Sequence, residues 1–211
     1  MARQRIDKSE ALAKKSVTSI RTKPNESDLL LDFVSADNFY QMALDRRWFL
    51  LAQHKSSAKL RMVDDGDLLA TCKVDQLTKS VPGKQVTLDG FRGDVQSALG
   101  KNCKEILSAS ETVNAQNVKV MRVVAAGEVS ETPIRWIYYH LSNDEGYRLS
   151  LIFTHEASLE SRFAGTDKEM TSSIAFLPQP EENKQPEERQ ARAGAATVSY
   201  THLTLPTTPY V

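Results

Sequence analysis

The stretch from Val123 to Thr154, VVAAGEVSETPIRWIYYHLSNDEGYRLSLIFT, decides the fold of this chain. It holds three strand-length runs that are apolar throughout or alternate cleanly, and the polar segment SNDEGY between the last two is typical of a hairpin loop. Strands covered on both faces have this nearly continuous apolar character. The stretch therefore predicts three strands in the buried centre of an antiparallel sheet.

A second group of strands precedes this stretch and begins near SDLLLDFV, residues 27–34. The residues from Met42 to Leu50 predict one strand, AKLRMV a second and LLATCKV a third, and the DDGD connection carries the Asp-Gly signal of a tight hairpin. Alternation places one set of side chains in the last strand on a common face: Leu68, Ala70, Cys72 and Val74. The group predicts an antiparallel meander.

Helical spacing follows each strand group. Thr87 can cap a helix that we expect from about Thr87 to Leu107, because apolar residues recur there every three or four positions. The same spacing predicts a second helix from about Ser158 to Ser173. The order strands, helix, strands, helix predicts an α+β fold, an antiparallel sheet with helices on its faces.

Composition limits the functions that the chain can have. Lys and Arg number 27, as do Asp and Glu, so no global field selects nucleic acid or an anionic membrane. No apolar run approaches the ~18 residues that span a bilayer. The polar start MARQRIDKSEALAKK lacks a signal-peptide core. The sequence as it stands predicts a cytoplasmic protein, and a signal upstream of Met1 would instead predict the cell envelope.

The residues that could carry chemistry are few. His140 and His155 lie on adjacent predicted strands, with Glu156 beside the second, but no metal-binding spacing accompanies them. Side chains at strand ends, solvated or satisfied by the backbone, are the simpler interpretation. Cys72 and Cys103 are read as buried free thiols, because each is flanked by apolar residues. A disulfide is the alternative, which requires an oxidising compartment and Cα atoms within about 7 Å.

No nucleotide-binding, nucleophile-elbow or CxxC motif occurs, so we expect no catalytic residue, no cofactor and no metal. The acidic DDGD segment lacks the closing Glu of a calcium loop and is read as a turn. Trp136 and Tyr138 share one strand face and could form an aromatic platform, although burial under helices is the simpler interpretation.

Three blocks carry a family resemblance: VTLDGFRGDVQSALGK, the stretch quoted first, and RFAGTDKEMTSSIAF. Their succession of helix, long-hairpin meander and closing helix resembles the PsbP-like superfamily, which groups PsbP of photosystem II, a Ran-binding import factor and DcrB. The resemblance implies a bacterial α/β/α sandwich that binds or assembles with other proteins. It carries over no site residue, because the family's motifs are patterns of hydrophobicity.

Two functions therefore stay open. The first is a non-catalytic binding or assembly module whose partner is another protein. The second is a small-ligand-binding domain or an enzyme with a pocket between sheet and helix, for which Tyr139, His140 and His155 are the candidate lining.

Both ends of the chain differ in composition from its middle. Residues 1–27 form a polar extension, 28–177 the predicted PsbP-like domain, and 178–197 a Pro, Glu and Gln-rich linker. The segment VSYTHLTLPT within residues 198–211 resembles the translation of a sequencing adapter. We expect residues 198–211 to be an artefact of a metagenomic contig. Amplification of the locus past the codon for Ala196 tests this.

Overall fold

The computed structural model describes residues 30–81 and 84–179. The predicted N-terminal extension, the linker beyond Gln179 and the adapter-like segment lie outside the described residues. Strands in the described part are β1 (Leu30–Val34), β2 (Tyr40–Asp45), β3 (Trp48–His54), β4 (Ser57–Asp64), β5 (Asp67–Leu77), β6 (Cys103–Val113), β7 (Lys119–Val129), β8 (Thr132–Ser142), β9 (Arg148–Glu156) and β10 (Ala175–Phe176). Its α-helices are α1 (Leu88–Leu99), α2 (Glu160–Phe163) and α3 (Thr166–Ser172).

Seven of these strands form one antiparallel sheet in the order β3-β4-β5-β9-β8-β7-β6. Both predicted strand groups are present, and the pairing of β5 with β9 joins them. One row of side chains in register crosses the sheet and is at most 8% exposed: Leu60, Cys72, Phe153, Ile137 and Val124. Burial of each large member contributes about 1.5–3 kcal/mol, so this row stabilises the centre of the sheet.

The two faces of this sheet are covered differently. A three-stranded sheet, β1-β2-β10, and the buried residues Phe163 and Met170 of α2 and α3 cover the face that carries the row above. On the opposite face, Phe91 and Val95 of α1 pack on Met121 and Val123. The predicted antiparallel sheet with helices on its faces is confirmed, with a small second sheet added to one layer.

The single strand predicted from Met42 to Leu50 is wrong, because the chain turns at Arg46 and Arg47. The Asp45 carboxylate accepts hydrogen bonds from the Arg47 backbone N–H at 2.8 Å and from its guanidinium, which holds the turn. The residues before the turn belong to the three-stranded sheet, and those after it to the seven-stranded sheet.

The predicted helix from Thr87 to Leu107 begins correctly, since the Thr87 hydroxyl accepts a hydrogen bond from the Gly90 N–H. It ends at Leu99, because Gly100 takes a positive φ of 52° that an α-helix does not accommodate. The remaining residues enter β6. The predicted helix from Ser158 to Ser173 is likewise divided, with Gly165 at φ 86° before α3.

The DDGD hairpin is confirmed, with positive φ at Asp65 and Gly66. The prediction that Leu68 shares a face of β5 with Ala70, Cys72 and Val74 is wrong for Leu68. The register shifts near Met62, which leaves Leu68 55% exposed and turns Leu69 into the core. A β-bulge has this effect because the extra residue reverses the alternation.

Candidate functional site

The structure does not bring the three predicted pocket residues together. Strand register places Tyr139 on the same face of the large sheet as Leu151 and His155, whereas His140 pairs with Ser150 on the opposite face. Tyr139, His140 and His155 therefore cannot line one pocket, since the sheet itself separates them.

Tyr139 instead belongs to a buried polar cluster with Arg122 of β7 and Asp167 of α3. Its hydroxyl donates to Asp167 Oδ2 at 2.7 Å, and Arg122 Nε donates to the same oxygen at 2.8 Å. Tyr139 and Asp167 are almost fully buried. Burial, and then the neighbouring carboxylate, raises the pKa of Tyr139. The three groups satisfy one another, which ties α3 to the sheet.

His140 lies under α1, with its ring centroid 5.7 Å from that of Phe91. Its Nε2 atom is buried and has no hydrogen-bond partner in the part of the chain that the structure describes. Burial, then the positive charges of Arg148 and Lys119, lowers the pKa of His140 to about 4. The imidazole is therefore neutral near pH 7, in an environment that cannot readily accept its cation.

His155 is held on the opposite face. Its Nδ1 lies 2.9 Å from the Glu156 carbonyl oxygen, and its ring centroid is 4.7 Å from that of Phe163. Among residues 30–81 and 84–179, no three His, Cys, Asp or Glu side chains are grouped so as to hold a metal ion.

The DDGD carboxylates contact an arginine. Arg162 of α2 donates to Asp67 Oδ2 at 2.9 Å and to Asp64 Oδ2 at 3.2 Å. These contacts join the β4–β5 hairpin to α2.

On the opposite face of the sheet, the predicted aromatic pair is largely covered: Trp136 is buried and Tyr138 packs against the α1 cluster.

A groove of about 290 Å³ lies between β2 and α3. Apolar side chains, two carboxylates and three hydroxyls line it: Leu30, Ala43, Trp48, Met170, Asp45, Glu169, Thr166, Ser172 and Ser173. The indole Nε1 of Trp48 has no hydrogen-bond partner within the described residues. The sequence analysis did not anticipate this groove, because its two walls come from segments far apart in the chain.

Two edge strands of the described part expose a cluster of large apolar side chains. β1 pairs only with β2, and β3 pairs only with β4, among the strands of the described residues. Two contacts place these strands near each other: Leu30 and Trp48 line the same groove, and Gln53 Nε2 donates to the Val34 carbonyl oxygen at 3.5 Å. We call this region the β1–β3 edge.

Six large apolar side chains of the β1–β3 edge are 44–49% exposed: Leu30, Leu31, Val34, Phe49, Leu50 and Leu51. The other exposed large apolar residues of the described part number five and are scattered over the loops and other strands. Clustered apolar side chains on a folded surface mark interaction sites, whereas single ones are ordinary. The SDLLLDFV and WFLL segments carried this signal, but the sequence did not show that both strands are edges.

No helix in the described part of the chain has the length and hydropathy needed to cross a membrane.

No protein-family model and no curated protein matches the chain. Solved structures do match. Cyanobacterial PsbP (CyanoP) from Synechocystis sp. PCC 6803 superposes with a TM-score of 0.53 at 12% identity, covering 78% of this chain and 99% of CyanoP. LpqN of Mycobacterium tuberculosis, involved in cell envelope biogenesis, matches with a TM-score of 0.50 at 10% identity, covering 71% of this chain and 91% of LpqN.

A protein of Bacteroides thetaiotaomicron matches 70% of this chain at 11% identity and a TM-score of 0.49, and this chain spans about half of it, 48%. At these identities a structural match establishes architecture, and function has to be argued from the site. CyanoP is matched over almost its whole length, and the element order here is the one that the sequence blocks predicted. The chain has the PsbP-like fold.

Proposed function

We propose that this chain is a non-catalytic binding module that docks another protein on the β1–β3 edge. The observation that carries the proposal is the cluster of six half-exposed apolar side chains on two neighbouring edge strands of the described part. An open strand edge offers unpaired N–H and C=O groups, and exposed apolar side chains beside it favour association.

The state of the polar groups in the core supports a non-catalytic role. Tyr139 and Asp167 engage each other and Arg122 and are almost fully buried, which withdraws them from a substrate. His140 is covered by α1, and His155 is held by a backbone carbonyl and the Phe163 ring. A general acid or base needs access to the group whose proton it moves.

Selection of binders from a displayed library of peptides and small proteins tests the proposal. We expect enriched binders to lose affinity for a variant in which Phe49, Leu50 and Leu51 are each replaced by serine. The matched control replaces Leu107 and Val113 of the opposite edge strand, β6, by serine, since both are exposed apolar residues. The proposal is contradicted if the binders keep their affinity for the first variant, or if they lose as much affinity for the second.

A second candidate function is small-ligand binding in the groove between β2 and α3, which its mixed lining favours. Apolar side chains beside a few carboxylates and hydroxyls are typical of sites that bind small molecules. A thermal-shift screen of small metabolites distinguishes the candidates. A stabilising compound whose effect disappears in Glu169→Gln or Ser173→Ala supports this function, and the absence of any such compound counts against it.

A further inference from the structure

The hairpin that forms the β3 side of the β1–β3 edge has a charge unlike that of the whole chain. Residues 46–63 contain five Lys and Arg residues and no Asp or Glu, although the chain as a whole has 27 of each sign. We call this segment the basic hairpin. Its cations flank β3, the strand that exposes Phe49, Leu50 and Leu51, or lie on the neighbouring strand β4.

Four of the five cations are available to a partner. Arg47 is paired with Asp45, but the other four are exposed and form no ion pair with any described residue: Arg46, Lys55, Lys59 and Arg61. Asp32 on β1 is an exposed acidic side chain at the β1–β3 edge. The local charge is therefore positive.

The cations surround the exposed apolar side chains of β3. Arg61 lies directly opposite Phe49 and Lys59 directly opposite Ala52, so both share the face of Phe49. Arg46 precedes β3 and Lys55 follows it, so a cation stands at each end of the strand. A segment lying along β3 would meet positive charge at both ends and on one face.

We propose that β3 accepts an extended, acidic segment of a partner protein as an added strand. This inference rests on the proposed function and names the chemistry of the partner. Backbone groups of the segment would pair with the unpaired edge of β3, in the manner of strand addition. Its apolar side chains would cover Phe49 on one face and Leu50 on the other. Its carboxylates would meet the long side chains of Arg61 and Lys59 across the width of β3, because two strand spacings are about 9.6 Å and side chains from both strands extend into that distance.

Two other occupants fit the observations less well. A second copy of this chain would bring an identical basic hairpin against the first, and like charges at close range oppose such pairing. A membrane surface would attract the cations, but insertion of an edge strand would place unpaired backbone N–H and C=O groups in hydrocarbon. A partner that supplies an acidic strand would form hydrogen bonds with the backbone groups of the β3 edge. Its carboxylates would pair with the cations of the basic hairpin.

The test uses the full chain and a labelled peptide of about ten residues, the length of a long strand, with alternating valine and glutamate. Fluorescence anisotropy measures binding of this peptide to the chain. Three further probes are compared with it. These are the same peptide with lysine for glutamate, the glutamate peptide N-methylated at alternate backbone nitrogens, and vesicles of phosphatidylcholine with phosphatidylglycerol. We expect binding of the glutamate peptide at least about tenfold tighter than of the other two peptides, and weakening as salt rises.

Variants locate the site. Lys59→Glu combined with Arg61→Glu should weaken binding of the glutamate peptide at least about tenfold, because two attractive charges become repulsive. The control Arg92→Glu with Lys101→Glu changes two exposed cations in and just after α1 and should leave binding unchanged. Circular dichroism confirms that both variants are folded.

The outcomes separate this inference from the proposed function. Failure of the glutamate peptide to bind, or equal binding of the lysine peptide, overturns the acidic-partner inference, while library binders that depend on Phe49, Leu50 and Leu51 would still support the proposed function. Undiminished binding of the N-methylated peptide overturns strand addition. Binding to the anionic vesicles without binding to any peptide or library member overturns both.

Discussion

The hydroxyl of Tyr139 donates to Asp167 Oδ2 at 2.7 Å across the junction between the large sheet and α3. Arg122 reaches the same oxygen, so one carboxylate serves two donors from neighbouring strands. A residue that sequence analysis proposed for a ligand pocket thus fastens a helix to the core.

Removal of this hydroxyl should destabilise the fold without changing it. We expect Tyr139→Phe to lower the free energy of unfolding by about 1–3 kcal/mol, because the Asp167 carboxylate loses a donor in a buried position. Asp167→Ala should cost about 3 kcal/mol or more, since it leaves the Arg122 cation without its partner. Urea unfolding measures both. Ser172→Ala on the exposed side of the same helix is the control, and a loss for Tyr139→Phe no larger than for this control would contradict the interpretation.

The burial of His140 should make stability depend on pH. Its pKa falls from about 6.5 to about 4 on folding, so the unfolded chain binds more protons between these values. The stability that the fold gains from keeping His140 neutral is fully present above about pH 6.5. It is lost as the pH falls toward 4. The loss is about 3 kcal/mol, since each pKa unit corresponds to about 1.4 kcal/mol.

The free energy of unfolding is measured from pH 7 to pH 4 for the wild type and for His140→Gln. The difference between the two curves gives the pH dependence that is due to His140. The wild type should lose more stability over this range than the variant. Parallel curves would show that His140 is protonated in the folded state without penalty.

Much of the fold was predictable from local chemistry. β7, β8 and β9 are interior strands of the large sheet, so their sequences hold long apolar runs or alternate cleanly. Thr87 and the DDGD turn act through hydrogen bonds and backbone angles within a few residues. Such features depend little on the rest of the chain.

The errors arose where one pattern fits two structures. Apolar alternation runs from Met42 to Leu50 through a turn that Asp45 holds, and the spacing of Leu99, Cys103 and Ile106 suits a helix although the last two lie in β6. Periodicity alone cannot distinguish such cases.

The candidate site was less predictable than the fold. Tyr139 and Asp167 are 28 residues apart, and only the packing of α3 brings them together. Likewise Phe49, Leu50 and Leu51 have the composition of a buried strand. Their exposure follows from the position of β3 at the end of the sheet, which is a property of topology.

Gly127 should not tolerate a side chain. A Cβ atom there would overlap the carbonyl oxygen of Asn102 and lie 2.7 Å from the Trp136 ring. We expect Gly127→Ala to cost about 1–3 kcal/mol, as overpacking of a core does. Gly93→Ala in α1 is the matched control: no atom lies within 4 Å of its Cβ, and the change should stabilise the helix by up to about 1 kcal/mol. Thermal unfolding measures the stability of both variants. An equal loss of stability at the two positions would contradict the close contact of Gly127 with Asn102 and Trp136.

The two cysteines should differ in reactivity. Both are free; Cys72 is fully buried in β5, whereas Cys103 is partly exposed at the start of β6. Burial, then the Asp75 carboxylate, raises the pKa of Cys72, which further suppresses its reactive thiolate. Iodoacetamide should therefore modify Cys103 at least about tenfold faster, because Cys72 reacts only when the strand opens at a cost above about 1.4 kcal/mol.

Mass spectrometry of digested samples assigns the modification to each cysteine, and Cys103→Ser isolates the rate at Cys72. In urea the two rates should converge, since unfolding removes the difference in access. Equal rates in native buffer would mean that β5 opens readily. That result would weaken the description of the row from Leu60 to Val124 as the stable centre of the sheet, because Cys72 lies within this row.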